Sequence, residues 1–575
     1  MKLTKLAAAL AASTLLAACK IQVIVPEGGS VTTVSGNIEC AAGNTCEVDV
    51  SNDEFDETFQ AVAAEGFEFV GWKTRDRGLC GGSSDDCNLP TTGFTGNEIL
   101  EAFLADDDED FFLEAEFVRF SNSGLSALLE TNADIALAAY SDSVDTAVAL
   151  ESAIDTFAAD PTQANLDAAK VAWLVSREPY GQTEVYRFRL SPIDSTNYMD
   201  EDGPEGEINA WPLGEALIDN VINADPDFGD DLVGVVTNGV DVNMGGAVTG
   251  TEMPPINIIS DTSIEITKAL IGNTVTADDE RDVLAGYHAI EFLLWGQDLN
   301  DNAMVTNGDD REEAVKTNAA PNLAFGGQRP LSDFTSDEFA SRRLTYLQVA
   351  AEKLIEDLEG VRDGWLDGVE GNYRDQFTSF ADTSEAIQRL TEILTGMGTL
   401  SEGELAGERM QIAFSSNSQE DEHSCFSDNT HRDIVLNARG ISNSFYGIYA
   451  GYDSDLDGID DETTRAVDGF GFDDYAAELA VEELTAISDE LDTRLQATAT
   501  TADLIDAAAR NGQPFDVLIQ DENRTSDNPV AQTILSLNSQ SSSIADLAEQ
   551  LAIDVQVVDD DASECDTTQP DTTCG

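Results

Sequence analysis

Basic residues are scarce in this sequence. Its 575 residues include 29 lysines and arginines against 111 aspartates and glutamates, which gives a formal net charge of −82. This balance argues against nucleic-acid binding, because the neutralisation of phosphates needs clustered Lys and Arg. The same repulsion disfavours anionic lipid surfaces. The acidity has two interpretations that composition does not separate: solvation in a salty medium, or a surface that attracts cations.

Long apolar runs are also missing once the first residues are passed. Leu6 to Leu16 form an apolar stretch that follows two lysines and is too short to span a bilayer as a helix. The segment then ends in Leu-Ala-Ala-Cys19, which resembles the signal of a bacterial lipoprotein. We therefore expect residues 1–18 to be a lipoprotein signal peptide and Cys19 to carry the lipid. An ordinary secretory peptide with a chance cysteine is the alternative.

The predicted lipid would be the only membrane anchor. No later run reaches the roughly 18 apolar residues that a transmembrane helix needs. Lys20 follows the cysteine, and no Asp stands there to suggest retention at the inner membrane. The sequence thus predicts a lipid-anchored protein of the cell envelope, bound to the outer membrane, and leaves open whether it faces the periplasm or the cell surface.

Cysteine is sparse, with eight residues in the chain. With Cys19 set aside, one cysteine, Cys425, stands alone and the other six form three close pairs. None of the pairs has the CxxC spacing of a zinc ribbon or a thioredoxin site. Close pairs between Gly, Asn and Asp residues are typical of small disulfide loops in exported proteins. The pairs are Cys40/Cys46, Cys80/Cys87 and Cys565/Cys574.

The chain changes character near residue 120. Residues 19–120 contain short runs of alternating polar and apolar residues between Gly- and Asn-rich turns, which predicts a small β domain. In residues 121–556 apolar residues recur at helical spacing, as between Ile135 and Ile154. The predicted fold class is therefore mainly α, with more than one helical bundle after the β domain. Residues 557–575 are predicted to be an acidic, mobile tail.

The centre of the β domain carries an aromatic segment from Phe59 to Trp72. It resembles a small bacterial repeat domain related to the internalin-B repeat, in which an aromatic hairpin precedes a Gly-Trp turn. We expect these aromatic residues to form the core of a small domain. A face that binds sugar or protein is the alternative.

Histidine is the rarest of the chemically active residues, and the three histidines of the chain fall in two motifs. The first motif runs Gly286-Tyr-His288-Ala-Ile-Glu291. Residues three apart lie on the same side of a helix, so His288 and Glu291 should point the same way and form half of a site for a transition metal. A satisfied core histidine is the alternative. The carboxylate in the same apolar run argues against it, because a buried carboxylate needs a partner.

The second motif concentrates acidic residues around the other two histidines. It includes Glu422, His423 and His431 within a stretch of about a dozen residues that also contains several other carboxylates. Imidazole and carboxylate groups are ligands for iron or zinc. The two motifs together predict a metal site made of His288, Glu291, Glu422, His423 and His431.

At these residues the sequence resembles a known family. The first motif, a GxHxxE sequence followed by Phe-Leu-Leu-Trp-Gly, resembles the signature of the imelysin family, whose members are also called imelysin-like or iron-regulated protein A. The resemblance covers roughly residues 125–556. Further segments that resemble the family, in the family's order, are Trp173–Glu184, Ser191–Asp194, Gly203–Leu213, Gln328–Phe334 and Glu422–His431.

The resemblance implies more than the residues alone do. It implies two four-helix bundles related by duplication, with the GxHxxE site near their interface. It also implies an exported, often lipid-anchored protein that is tied to iron uptake, with a metal ion or metal chelate and other envelope iron-uptake proteins as partners. Arg177 and Glu184 lie in one of the matching segments, where they would orient a ligand or simply make structural ion pairs.

The family also carries a peptidase label, so a metallopeptidase is the first alternative function. The HExxH motif of zinc peptidases and its inverted form are both absent, as are a GxSxG elbow and a papain-like cysteine context. Metal handling without catalysis is therefore the preferred prediction. A structural or adhesive lipoprotein without catalysis is the second alternative.

A second cation motif follows the histidines. The sequence Asp453-Ser-Asp455-Leu-Asp457-Gly begins like a calcium loop, and Asp461 follows it. Thr464 stands where an EF-hand has its bidentate Glu, so the loop is closer to the thrombospondin type 3 or dockerin kind. An acidic surface turn is the alternative to calcium binding.

Overall fold

The chain forms two compact units, residues 1–122 and 123–575. A computed structural model describes residues 19–50, 55–64, 66–94, 96–98, 110–211, 213–220, 235–237, 240–242, 257–272, 283–298, 326–327, 329–419, 421–520 and 523–551. The predicted signal peptide, the tail over 557–575 and the Cys565/Cys574 pair lie outside the described residues. In the part of the chain that is described, no helix has the length and apolar character to cross a membrane.

The first unit is built of β-strands, as the period-two pattern predicts. Its strands are β1 (Cys19–Val25), β2 (Gly29–Thr33), β3 (Glu39–Cys40), β4 (Asn44–Val50), β5 (Asp56–Ala63), β6 (Phe67–Trp72), β7 (Cys87–Pro90) and β8 (Asp110–Arg119). They form two four-stranded sheets, with the orders β4-β1-β8-β6 and β3-β2-β5-β7. Within the first sheet, β1 pairs antiparallel with β4 and parallel with β8.

The inward-facing residues of these strands make one apolar core. Phe59 and Trp72 from the aromatic segment are both buried in this core. Trp72 also donates a hydrogen bond from Nε1 to the carbonyl oxygen of Asp85, which satisfies its polar atom inside an apolar cluster. The strands β5 and β6 follow each other in the chain but lie in different sheets. Two of the predicted cysteine pairs are disulfide bonds here, Cys40–Cys46 and Cys80–Cys87.

The second unit is built mainly of α-helices. The mainly α fold class after a small β domain is thus confirmed. The α-helices are α1 (Asn122–Ala159), α2 (Gln163–Tyr180), α3 (Glu205–Ile208), α4 (Glu215–Ile218), α5 (Lys268–Ile271), α6 (Gly286–Trp295), α7 (Ala340–Gly364), α8 (Tyr373–Thr378), α9 (Thr383–Thr399), α10 (Ile412–Ser416), α11 (Thr430–Tyr446), α12 (Phe472–Leu479), α13 (Glu482–Arg510), α14 (Phe515–Leu518) and α15 (Pro529–Gln550).

Shorter elements connect these helices. Among the described residues, 3₁₀ turns cover Gly181–Tyr186 and Leu331–Phe334, and a π-helical segment covers Leu400–Gln411. Hairpins are formed by β9 (Val235–Thr237) with β10 (Val240–Val242), and by β11 (Ile448–Tyr452) with β12 (Asp461–Asp468). The acidic loop that resembles a calcium loop joins β11 to β12.

Candidate metal centre

The helix α6 positions both residues of the first motif. All ten of its residues are buried, as expected for a helix that is apolar on nearly every side. It begins at Gly286, where φ is +83° and an added Cβ would lie 2.3 Å from the carbonyl oxygen of Ile208. Only glycine tolerates both the positive φ and this close approach. The glycine of the motif is therefore required by packing.

His288 and Glu291 contact each other on one face of α6, as their spacing predicts. Nδ1 of His288 lies 2.9 Å from Oε2 of Glu291. The other carboxyl oxygen of Glu291, Oε1, accepts hydrogen bonds from the backbone nitrogen and the hydroxyl of Ser427 at 2.9 and 2.7 Å. Glu291 thus joins the helix to the second motif. Burial raises the pKa of Glu291 to about 8, although the bonds from Ser427 oppose the shift.

His423 of the second motif packs against His288. The centroids of the two imidazole rings are 4.7 Å apart and the rings meet edge to face. Nδ1 of His423 lies 2.9 Å from Oδ2 of Asp433, at the first turn of α11. The ring of Trp211 also meets the ring of His423 edge to face, with centroids 6.1 Å apart. The structure therefore brings the two histidine motifs together, although they are far apart in sequence.

The charge of Asp433 fixes the tautomer of His423. Burial alone would raise the pKa of Asp433, but Arg177 and His423 outweigh it and hold this pKa well below its usual range. An ionised carboxylate only accepts hydrogen bonds, so Nδ1 of His423 must carry the hydrogen. Its Nε2 is then left with a lone pair, the form in which imidazole binds a metal.

Both imidazoles are neutral at ordinary pH. Burial and the nearby arginines lower the pKa values of His288 and His423 to about 3. A metal ligand must be unprotonated, so this environment suits metal binding. Among the described residues, the buried Nε2 of His288 has no hydrogen-bond partner. A buried nitrogen without a partner is unfavourable unless something outside the described residues satisfies it. The donor set therefore fits a transition metal.

Arg177 and Glu184 belong to a buried network behind the two histidines. Arg177 donates to Oδ1 of Asp433 at 2.9 Å and also to Oδ1 of Asn209. Asn209 in turn donates to Oε1 of Glu184 at 3.2 Å, and Arg409 donates to Oε2 of Glu184 at 2.8 Å. The two residues act through neighbours, since Arg177 holds the carboxylate that orients His423.

The charge of Glu184 is maintained by arginines. Burial would raise the pKa of Glu184, but Arg409, Arg187 and His423 outweigh it and lower this pKa to about 2. Arg409 also donates to Oε1 of Glu404 from the same π-helical segment. In a π-helix, residues five apart are neighbours, and this geometry stacks Glu404 beside Arg409. The network thus keeps ionised groups in a fully buried place.

Glu422 and His431 have other surroundings. Glu422 is fully buried, and its pKa is raised well above the usual range by burial and by Asp428, and to a lesser degree by Glu291. His431 has its Nδ1 2.9 Å from the carbonyl oxygen of Asp428 and its Nε2 3.5 Å from Oδ1 of Asp506. Its ring nitrogens thus face partners different from those of His288 and His423. Metal binding by all five predicted residues stays a prediction.

Carboxylates come close enough to share an ion in two separate groups of three residues. Within each group, one carboxylate oxygen of each residue lies within 4.8 Å of those of the other two. Within the described ranges, the groups are Asp298, Asp428 and Asp516, and Asp453, Asp455 and Asp461. The second group belongs to the predicted calcium loop. Asp457, which was also predicted there, accepts a hydrogen bond from the backbone nitrogen of Ile459 at 2.9 Å and is not in the group.

Sequence reasoning missed the residues that orient the histidines. Ser427 lies in the second motif and Asp433 follows it, but only the folded contacts assign them to Glu291 and His423. Asn209 stands in one of the family-like segments and links Arg177 to Glu184. Arg409 gave no signal at all, because a single arginine in a helix has no distinctive spacing.

The comparisons with known proteins agree with the motifs. The family described as imelysin (peptidase M75) matches residues 136–544. Iron-regulated protein A from Synechococcus elongatus is 40% identical over 67 residues, which are 12% of this chain and only 17% of that protein. The chain therefore covers about a sixth of this curated relative.

Two solved structures were also matched. An iron-regulated protein A precursor from Parabacteroides distasonis is 16% identical with a TM-score of 0.48, over 76% of this chain and 96% of that one. An imelysin-like protein from Psychrobacter arcticum is 13% identical with a TM-score of 0.45, over 76% of this chain and 99% of that one. The family match spans most of the chain, and on that ground this protein belongs to the imelysin family.

Proposed function

We propose that this protein is a lipid-anchored envelope protein that binds iron, or another divalent metal such as zinc, for uptake. The observation that carries the proposal is the buried pair His288 and His423. Their rings touch, and a carboxyl group holds Nδ1 of each ring. Carboxyl groups behind metal-binding histidines orient the ring and make it a better ligand. The iron-regulated name of the matched relative supports iron over other metals.

The proposed ligands are Nε2 of His288 and Nε2 of His423. Two imidazoles leave several coordination positions for a third protein ligand, for water or for the donor atoms of a chelate. Glu422 is the candidate third ligand, because it is a buried carboxyl group directly before His423 in the second motif. Glu291 and Asp433 act behind the histidines, and Arg177 acts behind Asp433.

Metal binding by single-residue variants tests this proposal. The full chain, stripped of metal by a chelator, is titrated with Fe²⁺ without oxygen and with Zn²⁺, and the Kd is measured. The variants His288→Gln and His423→Gln should lose most of the affinity. Asp433→Asn should weaken binding by roughly 10- to 100-fold, as for other residues behind metal ligands. Glu422→Gln shows whether this carboxyl group is a third ligand.

A matched control is available in His431, which is equally buried but contacts Asp428 and Asp506. We expect His431→Gln to keep the parent Kd, while its folding is checked by circular dichroism. If His288→Gln and His423→Gln both bind metal like the parent, or if the parent binds no metal, the proposal is wrong. Incubation of the same metal-loaded protein with casein tests the peptidase alternative, for which we expect no cleavage.

A further inference from the structure

Three aspartates form a buried cluster outside the histidine pair. Asp298 follows the end of α6, Asp428 lies in the second motif, and Asp516 lies in α14 near the end of the described chain. Their relative exposures are 3%, 0% and 0%. One carboxylate oxygen from each comes within 4.8 Å of the others. Three like charges that approach so closely in a buried place repel one another strongly unless something compensates them.

Asp516 supplies a separate observation. Both oxygens of its carboxylate are buried and, among the described residues, neither has a hydrogen-bond partner. One of them faces the oxygens of Asp298 and Asp428. A buried carboxylate without a partner is among the least favourable groups in a folded protein. This side chain therefore suggests that the cluster binds a positively charged ligand.

The other two aspartates are oriented by donors around them. Gln419 donates from Nε2 to Oδ2 of Asp298 at 2.5 Å, and the backbone nitrogen of Gly326 donates to Oδ2 of Asp428 at 2.6 Å. Ligating carboxylates in metal sites are typically hydrogen-bonded in this way. Asp428 has a positive φ of 57°, a conformation that Asp and Asn adopt more readily than most residues.

We propose that Asp298, Asp428 and Asp516 bind one hard divalent cation, and that this cation is calcium. The donor set is oxygen only, which suits hard cations and not the nitrogen-preferring transition metals. Calcium binds oxygen at about 2.4 Å, so two oxygens on opposite sides of it are about 4.8 Å apart. The three carboxylate oxygens of the cluster all lie within this limit of one another. Its three residues are not among the ligands proposed with His288 and His423, so the proposal does not depend on the function proposed for that pair.

The test must separate this cluster from the acidic loop between β11 and β12. The full chain carries Asp455→Asn throughout, which removes one carboxylate of the loop group. After removal of metal ions, calcium binding is measured by calorimetry and by the melting temperature at increasing free calcium. A cation that binds only the folded state raises the melting temperature as its concentration rises. We expect one calcium ion to bind and this rise to persist in the Asp455→Asn chain.

Adding Asp516→Asn to that chain should weaken calcium binding by more than about tenfold and abolish the rise in melting temperature. Asp428→Asn is the second variant, and its amide tolerates the same backbone conformation. The control is Asp546→Asn, an exposed carboxylate on α15, which should leave both measurements unchanged.

Three results would overturn the proposal. Calcium could fail to bind the Asp455→Asn chain. The response to calcium could survive both Asp516→Asn and Asp428→Asn. The third result is a melting temperature that rises on mild acidification but does not change with calcium concentration. It would show that a shared proton, and not a cation, compensates the three carboxylates.

Discussion

At the scale of single residues, the hydrogen bond between His288 and Glu291 determines how metal binding should respond to pH. The pKa of Glu291 is raised to about 8, while that of His288 is lowered to about 3. At neutral pH the carboxyl group is therefore protonated and donates to Nδ1 of His288, and the hydrogen of the ring is on Nε2. A metal at Nε2 displaces that hydrogen. Nδ1 then takes the proton of Glu291, so one proton is released overall.

We therefore predict that metal affinity rises by about tenfold for each pH unit below about 8 and levels off above it. The measurement is a competition titration with a metal indicator between about pH 6 and 9, where both imidazoles remain neutral. Glu291→Gln cannot release the proton, so its affinity should be lower and nearly independent of pH. An equal slope in this variant would show that the proton comes from another group.

The residues of the site differ in how far the sequence could predict them. The i, i+3 spacing was enough to place His288 and Glu291 on one helical face. The contact of His423 with His288 depends on how distant helices pack, which no local pattern specifies. Asp516 is one acidic residue among 111 and has no motif around it. Its significance becomes visible only when burial and missing partners are known.

At the scale of elements, Gly286 decides whether α6 can dock. We predict that Gly286→Ala destabilises the protein by roughly 2 kcal/mol or more. The alanine would have to adopt a positive φ, and its Cβ would overlap the backbone of Ile208. The control is Gly360→Ala in α7, where a Cβ would have nothing within 4 Å. That variant should stabilise the helix by about 0.5–1 kcal/mol. Urea unfolding of both variants measures the difference, and equal effects would contradict the prediction.

The loop between β11 and β12 carries the prediction of calcium binding made from its sequence. Asp453, Asp455 and Asp461 approach one another, whereas Asp457 caps the backbone of Ile459. We expect Asp455→Ala to remove one modest-affinity calcium site in calorimetry, and Asp457→Asn to have a smaller effect. Loss of the same binding in both variants would assign Asp457 to the ion. No loss in either would leave the loop as a solvated turn.

The sequence predicts the type of each secondary-structure element better than it predicts how the strands pair. Period-two and period-3.6 patterns distinguish the β unit from the helical unit, because each period follows from the backbone geometry. They do not give the order β4-β1-β8-β6, in which the first and last strands of the unit pair in parallel. Nor do they show the π-helical segment Leu400–Gln411, since a shift from i+4 to i+5 hydrogen bonds changes the sequence pattern very little.

At the scale of the whole molecule, the net charge bears on the predicted lipid anchor. The net charge of −82 opposes contact with anionic membranes, and removal of the predicted signal peptide would also remove Lys2 and Lys5. We therefore do not expect attraction to anionic lipids to hold this protein on a membrane. The backbone of Cys19 in β1 already pairs with that of Val50 in β4, so an attached lipid would join the β unit without a flexible linker.

We predict that Cys19→Ser moves the protein from the membrane fraction to the soluble fraction. Acyl chains contribute about 0.8 kcal/mol for each buried CH₂ group, and more than one chain is needed for stable anchoring. The parent protein should stay with membranes in both low and high salt, because salt screens charges but does not weaken acyl insertion. Fractionation at both salt concentrations, with immunoblotting, checks this. Release of the parent by salt, or retention of Cys19→Ser, would show that something other than a lipid at Cys19 holds the protein.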